Sequence, residues 1–298
     1  MPGERATRMS RLREALEASE FVVTGEIAPP SGTNVEQMRR SIEIVGPFCH
    51  ALNVTDNQGA TLHLSSLAAS KVVLDMGFEP VFQQTCRDRN RLALQSDLLS
   101  ASTLGVENVL VLSGDDPRLG DHPHAKGVFD LDSTQLIAIA AGMNEGRDMM
   151  DRDLDGGTDF LIGAALFPEA EPWDVQFARA GHKAEAGARF FQTQAVFDMS
   201  KIRRAVEALR PTGAKIIAGI LLLKSPRVVD FINERLAGLM VPDDIAERIR
   251  SASDPAEESI QLAIEQASEL RGITDGIHVM HLGVDEAVER IVRGAGIA

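Results

Sequence analysis

Cysteine is scarce in this chain of 298 residues, in which only Cys49 and Cys86 occur. The two residues form no CxxC pair and lie in no Cys/His spacing of the kind that binds metal. This excludes a disulfide framework and a structural zinc site as organising features. The low number of cysteines favours a reducing compartment.

Long apolar runs and an excess of basic charge are also missing. No run approaches the ~20 apolar residues of a membrane span, and the first 19 residues lack the apolar core of a secretion signal, so we expect a cytoplasmic protein without membrane contact. The formal net charge is −14. Such an acid excess argues against nucleic-acid binding, which depends on clustered Lys and Arg.

Strand-like and helix-like segments alternate along the whole chain. A β-rich run that begins at Phe21 is stopped by Pro29 and Pro30, because proline fixes φ and lacks the backbone donor. Helical periodicity separates this run from seven further strand-like runs. These runs cover residues 51–55, 80–86, 108–112, 160–166, 189–193, 215–222 and 276–280.

Eight strands that alternate with helices predict an α/β fold, the (β/α)8 TIM barrel, as a single domain over residues 1–298. A helix over 8–19 is expected to cap one end of the core, and two or three helices over 227–271 form an insertion before the last strand. The alternative is a doubly wound open sheet, but no G-x-G-x-x-G follows the first strand. Residues 113–128 predict a long functional loop.

Polar residues follow most of the predicted strands, and the carboxyl ends of barrel strands carry the active site. The first is Glu26, which the two prolines hold at or just past its strand end. The others are Thr55-Asp56-Asn57, Thr85-Cys86-Arg87, Ser113 to Asp116, Phe167-Pro168-Glu169, Gln194, Lys224-Ser225 and His281. Six or more such groups on one rim favour a site over ordinary turns.

Each residue also has an ordinary interpretation. Glu26 fits a surface carboxylate before a proline turn, Asp115 a plain turn residue, and Gln194 a satisfied buried amide. His122 and His124 alternate in a loop without a third ligand, so we expect no metal site there. Cys86 is interpreted as structural.

The order and spacing of these motifs resemble the methylenetetrahydrofolate reductases, which are flavin-dependent (β/α)8 barrels. The resemblance runs over nearly the whole chain. It rests on Thr24-Gly25-Glu26, Pro29-Pro30, Val54-Thr55, Thr85-Cys86, Gly114-Asp115, Phe167-Pro168-Glu169, Ala186-Gly187-Ala188, Thr193-Gln194 and Phe197-Asp198. It implies the short bacterial form without a regulatory domain, acting in one-carbon metabolism and methionine biosynthesis.

The resemblance implies FAD as cofactor and three catalytic residues. Glu26 corresponds to the general acid that protonates N10 of 5,10-methylenetetrahydrofolate, a task for a carboxyl group that stays partly protonated near neutral pH. Asp115 corresponds to the acid beside the N1/C2 carbonyl edge of the flavin, and Gln194 to the amide that contacts the pterin. The implied flavin-binding residues are Thr55, Asp56, Gln84, Ser113, Gly114, Asp115, Phe167, His182 and Lys183.

The chain departs from the family pattern at three places. Ser113 stands where many members have Arg, Gln83-Gln84 where they have His, and the Lys224-Ser225-Pro226 turn where an aromatic residue is usual. The electron donor therefore stays open between NAD(P)H and an electron-donating partner protein, and the assembly between a homo-oligomer and a hetero-complex. Two alternative functions are a folate-binding methyltransferase that serves a corrinoid protein and a flavin-less folate-binding or assembly subunit.

Overall fold

The computed structural model describes residues 10–235 and 239–297. Eight parallel strands close into a barrel in the order β1 to β8, each paired with its neighbours in sequence and β8 with β1. This confirms the predicted (β/α)8 barrel. The strands are β1 Val22–Ile27, β2 Ala51–Val54, β3 Pro80–Thr85, β4 Asn108–Leu112, β5 Leu161–Leu166, β6 Phe190–Ala195, β7 Lys215–Leu221 and β8 Gly276–Met280.

Helices follow the strands and cover the outside of the barrel, where the larger hydrophobic cluster lies. Three helices, α8 to α10, fill the predicted insertion before β8. The helices are α1 Arg11–Glu17, α2 Glu36–Val45, α3 Ser66–Asp75, α4 Arg91–Leu104, α5 Ser133–Asn144, α6 Trp173–Glu185, α7 Met199–Leu209, α8 Pro226–Arg235, α9 Asp243–Ser251, α10 Pro255–Leu270 and α11 Ala287–Gly294. No helix in residues 10–235 or 239–297 is long and apolar enough to cross a membrane.

Helix α1 closes the amino-terminal end of the barrel, as the sequence predicted. Leu12 and Leu16 pack against a cluster of strand residues inside the barrel. The Glu79 carboxylate fixes the start of the helix: it accepts hydrogen bonds from Ser10 Oγ at 2.6 Å and from the backbone N–H of Arg11 at 2.8 Å. The barrel is therefore plugged at this end and open at the other.

Local contacts determine where two of the helices begin. Helix α6 begins at Trp173, because Glu171 Oε2 accepts the Trp173 N–H at 2.8 Å and Trp173 stacks on Phe177 one turn later. Helix α2 begins at Glu36. Its N-cap is Val35 without a side-chain bond, and Asn34 Oδ1 instead accepts the Glu36 N–H from one position further out.

Candidate active site

Glu26 lies within β1, one residue before the strand ends, and its side chain is 13% exposed. Among the described residues its carboxylate accepts no hydrogen bond; its nearest basic group is His278 Nε2, 3.9 Å from Oε2. The backbone carbonyl of Glu26 is 2.7 Å from His281 Nε2, which ties β1 to the end of β8. The acid is therefore held by its backbone while its oxygens stay free.

The ends of β2 and β3 are joined by Asp56. Its Oδ2 accepts from the backbone N–H and the hydroxyl of Thr85, at 2.9 and 2.8 Å. Arg89 binds both carboxylate oxygens of Asp56, at 2.8 and 3.1 Å. The sequence predicted Asp56 as a cofactor residue, but the structure has its side chain fully buried and occupied by these bonds. Thr55, just before it, is 3% exposed.

Gly114 adopts φ +89°, a conformation that favours glycine, and lies against Arg87. A Cβ at Gly114 would stand 2.8 Å from Arg87 Cβ, so a larger residue does not fit. Arg87 is 2% exposed, and its guanidinium forms an ion pair with Asp88 and donates to the carbonyl of Asn57. The Gly114-Asp115 turn therefore packs against the buried side chain of Arg87.

Asp115 is exposed at the mouth, where it joins two loops. Its Oδ2 accepts the Gly59 N–H of the β2–α3 loop at 3.0 Å. Asp121, six residues further along the β4–α5 loop, accepts the Leu62 N–H at 3.1 Å. Gly120 approaches the Ala60 carbonyl so closely that a Cβ would stand 1.9 Å from its oxygen. We call this pairing of residues 57–65 with 113–132 the loop clasp.

A cleft of about 500 Å³ opens beside the mouth between β4, β5 and α6. Lys183 enters it from α6 and donates to the carbonyl of Ala165 at 2.9 Å; burial lowers the pKa of its amine. The lining combines cations, hydroxyls at the start of α5 and an apolar wall, which suits a planar ring carrying phosphates. The lining residues are Ser113, Asp132, Ser133, Thr134, Ala165, Leu166, Phe167, Gln176, Arg179, Ala180, His182 and Lys183.

Gln194 is exposed within β6, which ends at Ala195, two residues beyond the strand end that the sequence predicted. The β6–β7 register shifts between Gln192 and Ala195, which marks a bulge. Gly219 makes room for it, because a Cβ there would lie 2.5 Å from the Gln194 carbonyl oxygen. Thr193 Oγ1 accepts the Gly219 N–H at 2.8 Å and locks the bulge.

The structure gathers most of the predicted site residues around the mouth and the cleft, but not Gln84. The Gln84 side chain faces outward, is fully buried, and donates to the Leu94 carbonyl of α4 at 3.0 Å. Sequence reasoning missed Arg179 and the start of α5, which line the cleft, and His278 and Gln192 inside the barrel. Polar residues within otherwise apolar strands were the available signal for the last two.

Comparison with known proteins identifies a family for this chain. The family model described as methylenetetrahydrofolate reductase matches residues 11–296. Methylenetetrahydrofolate reductase 1 of Schizosaccharomyces pombe is 23% identical over 285 residues, which cover 90% of this chain and 45% of that protein. Methylenetetrahydrofolate reductase (NADH) 1 of Arabidopsis thaliana is 22% identical over 320 residues, covering 97% and 50%. The chain thus spans half or less of these relatives.

Solved structures are similar in fold alone. Tryptophan synthase from M. tuberculosis superposes with a TM-score of 0.55 at 12% identity, covering 97% of this chain and 96% of that one. A 2,3-dimethylmalate lyase gives 0.54 at 12% identity, with 96% and 82% covered. Because the family model covers nearly the entire chain, the protein belongs to the methylenetetrahydrofolate reductase family.

Proposed function

We propose that this protein reduces 5,10-methylenetetrahydrofolate to 5-methyltetrahydrofolate with FAD as hydride carrier and Glu26 as general acid. Membership of the family supports the reaction. The observation that carries the acid role is a carboxylate at the barrel mouth that is 13% exposed and accepts no hydrogen bond from the described residues. A general acid needs a carboxyl oxygen that is free to contact the atom it protonates.

The cleft beside the mouth is the proposed seat of the flavin. Lys183 and Arg179 would hold its phosphates, Phe167 would cover the ring, and Ser113 would bond its polar edge. When bound, FAD supplies the hydride. Asp115, fixed by the loop clasp, would place a negative charge beside the ring system.

The remaining chemistry falls to side chains of the mouth. Glu26 would give its proton to N10 of the folate, which opens the five-membered ring to the 5-iminium cation that accepts hydride. Asp115 would stabilise that cation by its charge, and Gln194 would offer a donor and an acceptor to the pterin. The two loops and the prolines after β1 hold these groups in place.

The electron donor in this proposal is NAD(P)H or a reducing partner protein of the cytoplasm. The turn after β7 carries Lys224, whose amine donates to the Leu282 carbonyl, and has no aromatic side chain in residues 224–226. A homo-oligomer or a hetero-complex fits either donor. The donor is therefore the first partner to identify once flavin is demonstrated.

A visible spectrum of the purified protein tests the proposal directly. We expect a flavin absorption band, its loss on photoreduction, and its return when 5,10-methylenetetrahydrofolate is added without oxygen. A protein with no flavin band, or a reduced band that the folate leaves unchanged, would overturn the proposal. A methyltransferase would instead show no flavin and would need a corrinoid protein.

A further inference from the structure

Three primary amides form a chain across the inside of the barrel. Gln83 Nε2 donates to Asn53 Oδ1 at 3.0 Å, and Asn53 Nδ2 donates to Gln192 Oε1. Because β2 and β6 lie opposite each other in the closed order of eight strands, the second bond spans the lumen. Barrel interiors are ordinarily filled by branched apolar side chains. We call Gln83, Asn53 and Gln192 the amide crossbar.

The crossbar forms the floor of the mouth. On its own strand, each crossbar residue comes two positions after a member of the apolar cluster that α1 closes. Each therefore lies one layer of side chains nearer the open end of the barrel. Glu26 is the register partner of Asn53 on the neighbouring strand, and Gln194 follows Gln192 by two residues. The crossbar is therefore adjacent to the two residues proposed to act on the folate.

Both ends of the crossbar keep a free hydrogen-bonding atom. Asn53 is 0% exposed and uses its donor and its acceptor, whereas Gln83 and Gln192 are 7% and 8% exposed. Within residues 10–235 and 239–297, Gln83 Oε1 and Gln192 Nε2 have no protein partner. Neither atom is among the fully buried side-chain atoms that lack a partner, so both face the open mouth. A ligand that covers them and completes both hydrogen bonds is favoured over one that covers them and leaves a bond unmade.

We propose that the amide crossbar selects the pterin ring by hydrogen-bonding its polar edge. One end of the crossbar donates to the ring carbonyl and the other accepts from a ring N–H. In the orientation of these two bonds, Gln192 Nε2 is the free donor and Gln83 Oε1 is the free acceptor. Asn53 is a positioning residue, because it touches no ligand and fixes the direction of both ends. This inference rests on the proposed function.

Two pterins that differ at one position test the crossbar. Folic acid carries a carbonyl oxygen at C4 and a hydrogen on N3, whereas aminopterin carries an amino group at C4 and no hydrogen on N3. The acceptor and the donor of this ring edge are therefore exchanged. Titration of the oxidised, flavin-loaded protein should show folic acid bound about tenfold or more tightly than aminopterin, as expected of a site built around a hydrogen bond. In Gln192→Met, which keeps the volume, the ratio should fall to about 1 to 3 through weaker folic acid binding.

Matched variants separate selection from loss of structure. Gln266→Met removes another buried amide, which donates to the Val196 carbonyl from α10 outside the barrel, and should keep the wild-type ratio. Asn53→Leu should reduce the ratio as Gln192→Met does. If Gln192→Met does not fold, Gln83→Met, at the other end of the crossbar, gives the same readout.

Three outcomes overturn the inference: a wild type that binds neither pterin, a wild type that binds both equally, and a Gln192→Met protein with an unchanged ratio. If the flavin content of that variant also dropped, the crossbar would be assigned to the flavin. Wild-type protein whose reduced flavin is reoxidised by 5,10-methylenetetrahydrofolate keeps the proposed function even if the crossbar fails this test. Absence of both reoxidation and binding overturns the two together.

Discussion

Glu26 combines a fixed backbone with a free side chain. The strand pairs with β2 and β8 on either side, His281 binds the Glu26 carbonyl, and Pro29 and Pro30 end the strand. Among the described residues no donor binds the carboxylate itself. A general acid needs this combination, because its oxygens must be free to contact the substrate atom while the backbone keeps them at a defined position.

Replacing Glu26 by Gln should separate the two halves of the proposed reaction. The amide keeps the size of the side chain but cannot give up a proton, so reoxidation of reduced flavin by the folate should slow by about 10²-fold or more. Reduction of the flavin by its donor should stay within about twofold, since no acid is needed there. Rapid-mixing absorbance of each half-reaction measures both rates.

Glu43 offers a matched control for that experiment. It is exposed on α2, and Glu43→Gln should leave both half-reactions unchanged. If Glu26→Gln slowed the two half-reactions equally, the side chain would be holding the flavin or the fold rather than supplying a proton.

Sequence reasoning placed Glu26, Asp115, Ser113 and Phe167 around one mouth, because the ends of parallel strands can be located from apolar runs, whereas Lys183 followed only from the family resemblance. It did not predict which face of a strand each side chain occupies. Gln83 and Gln84 are neighbours, but one faces the lumen and the other α4, and a shift of one residue reverses the face. The Asn53–Gln192 bond was beyond reach, because the pairing of opposite strands depends on how the barrel closes.

At the scale of elements, the loop clasp is what holds Asp115 above the mouth. Gly59 and Leu62 of the first loop donate their backbone N–H groups to the two aspartates of the second loop. Gly120 of the second loop lies directly against the backbone of the first. The sequence predicted a long functional loop over 113–128 but not its partner. The two loops follow β2 and β4 and are not adjacent in sequence. Their contact therefore leaves no periodic pattern in the sequence that could predict it.

Gly120→Ala should open the clasp. Gly120 has φ −95°, which alanine adopts freely, so the only effect of the substitution is the methyl group 1.9 Å from the Ala60 carbonyl oxygen. The loops must separate and Asp115 must move with them. We expect hydride transfer to the folate to slow by about tenfold to a hundredfold, as misplacement of a reacting group by ~1 Å does. Single-turnover reoxidation of the flavin measures this effect.

Gly32→Ala is the control for the clasp. Gly32 lies in the β1–α2 loop, and a Cβ there meets nothing within 4 Å. This variant should behave as wild type, and both variants should unfold at the wild-type temperature because the loops are largely exposed. An unimpaired Gly120→Ala protein would show that the clasp does not position Asp115.

The α1 plug makes a separate prediction about stability. Besides Ser10 and Arg11, the Glu79 carboxylate accepts from Asn108 Nδ2 at 2.7 Å and from the Leu12 N–H at 3.2 Å. Glu79→Gln turns part of this acceptor into a donor that faces other donors. We expect a loss of about 2–3 kcal/mol in the free energy of unfolding. Urea denaturation measures it, with the exposed Glu207→Gln variant on α7 expected to stay within about 0.5 kcal/mol of wild type.

The flavin content of the Glu79→Gln protein tests whether a change at the α1 end of the barrel affects the mouth at the other end. Glu79 lies at the amino-terminal end of the barrel, so the Glu79→Gln protein should bind flavin as wild type does under native conditions. Loss of flavin at a temperature where the variant is still folded would contradict the separation of a stability end from a catalytic end.

The whole molecule is one closed barrel with both cysteines in its outer core. Cys86 is 0% and Cys49 9% exposed, and each packs in the larger hydrophobic cluster. Burial raises the pKa of the Cys86 thiol from 9.0 to about 12, and burial also raises the pKa of Cys49. Neither thiol is therefore a nucleophile in the native protein, in agreement with the structural role predicted for Cys86.

These thiols should report unfolding of the entire barrel. At pH 8, a thiol reagent such as Ellman's should react with neither cysteine until the chain unfolds, and with both in denaturing guanidinium chloride, two per chain. The two should react at one common rate, with a urea dependence equal to that of global unfolding. A single thiol that reacts quickly in native buffer would show that one side of the barrel opens separately.

The same burial gives stability a defined pH dependence. Folded thiols keep their protons to higher pH than unfolded thiols, so this contribution is fully present below about pH 9 and is lost as the pH rises toward the folded values. The free energy of unfolding should therefore fall above pH 9. When each protein is compared with its own free energy of unfolding at pH 8, the fall should be steeper in the wild type than in Cys86→Ala. Equal slopes in the two proteins would mean that Cys86 does not retain its proton, and that solvent reaches the barrel wall beneath α4 and α5.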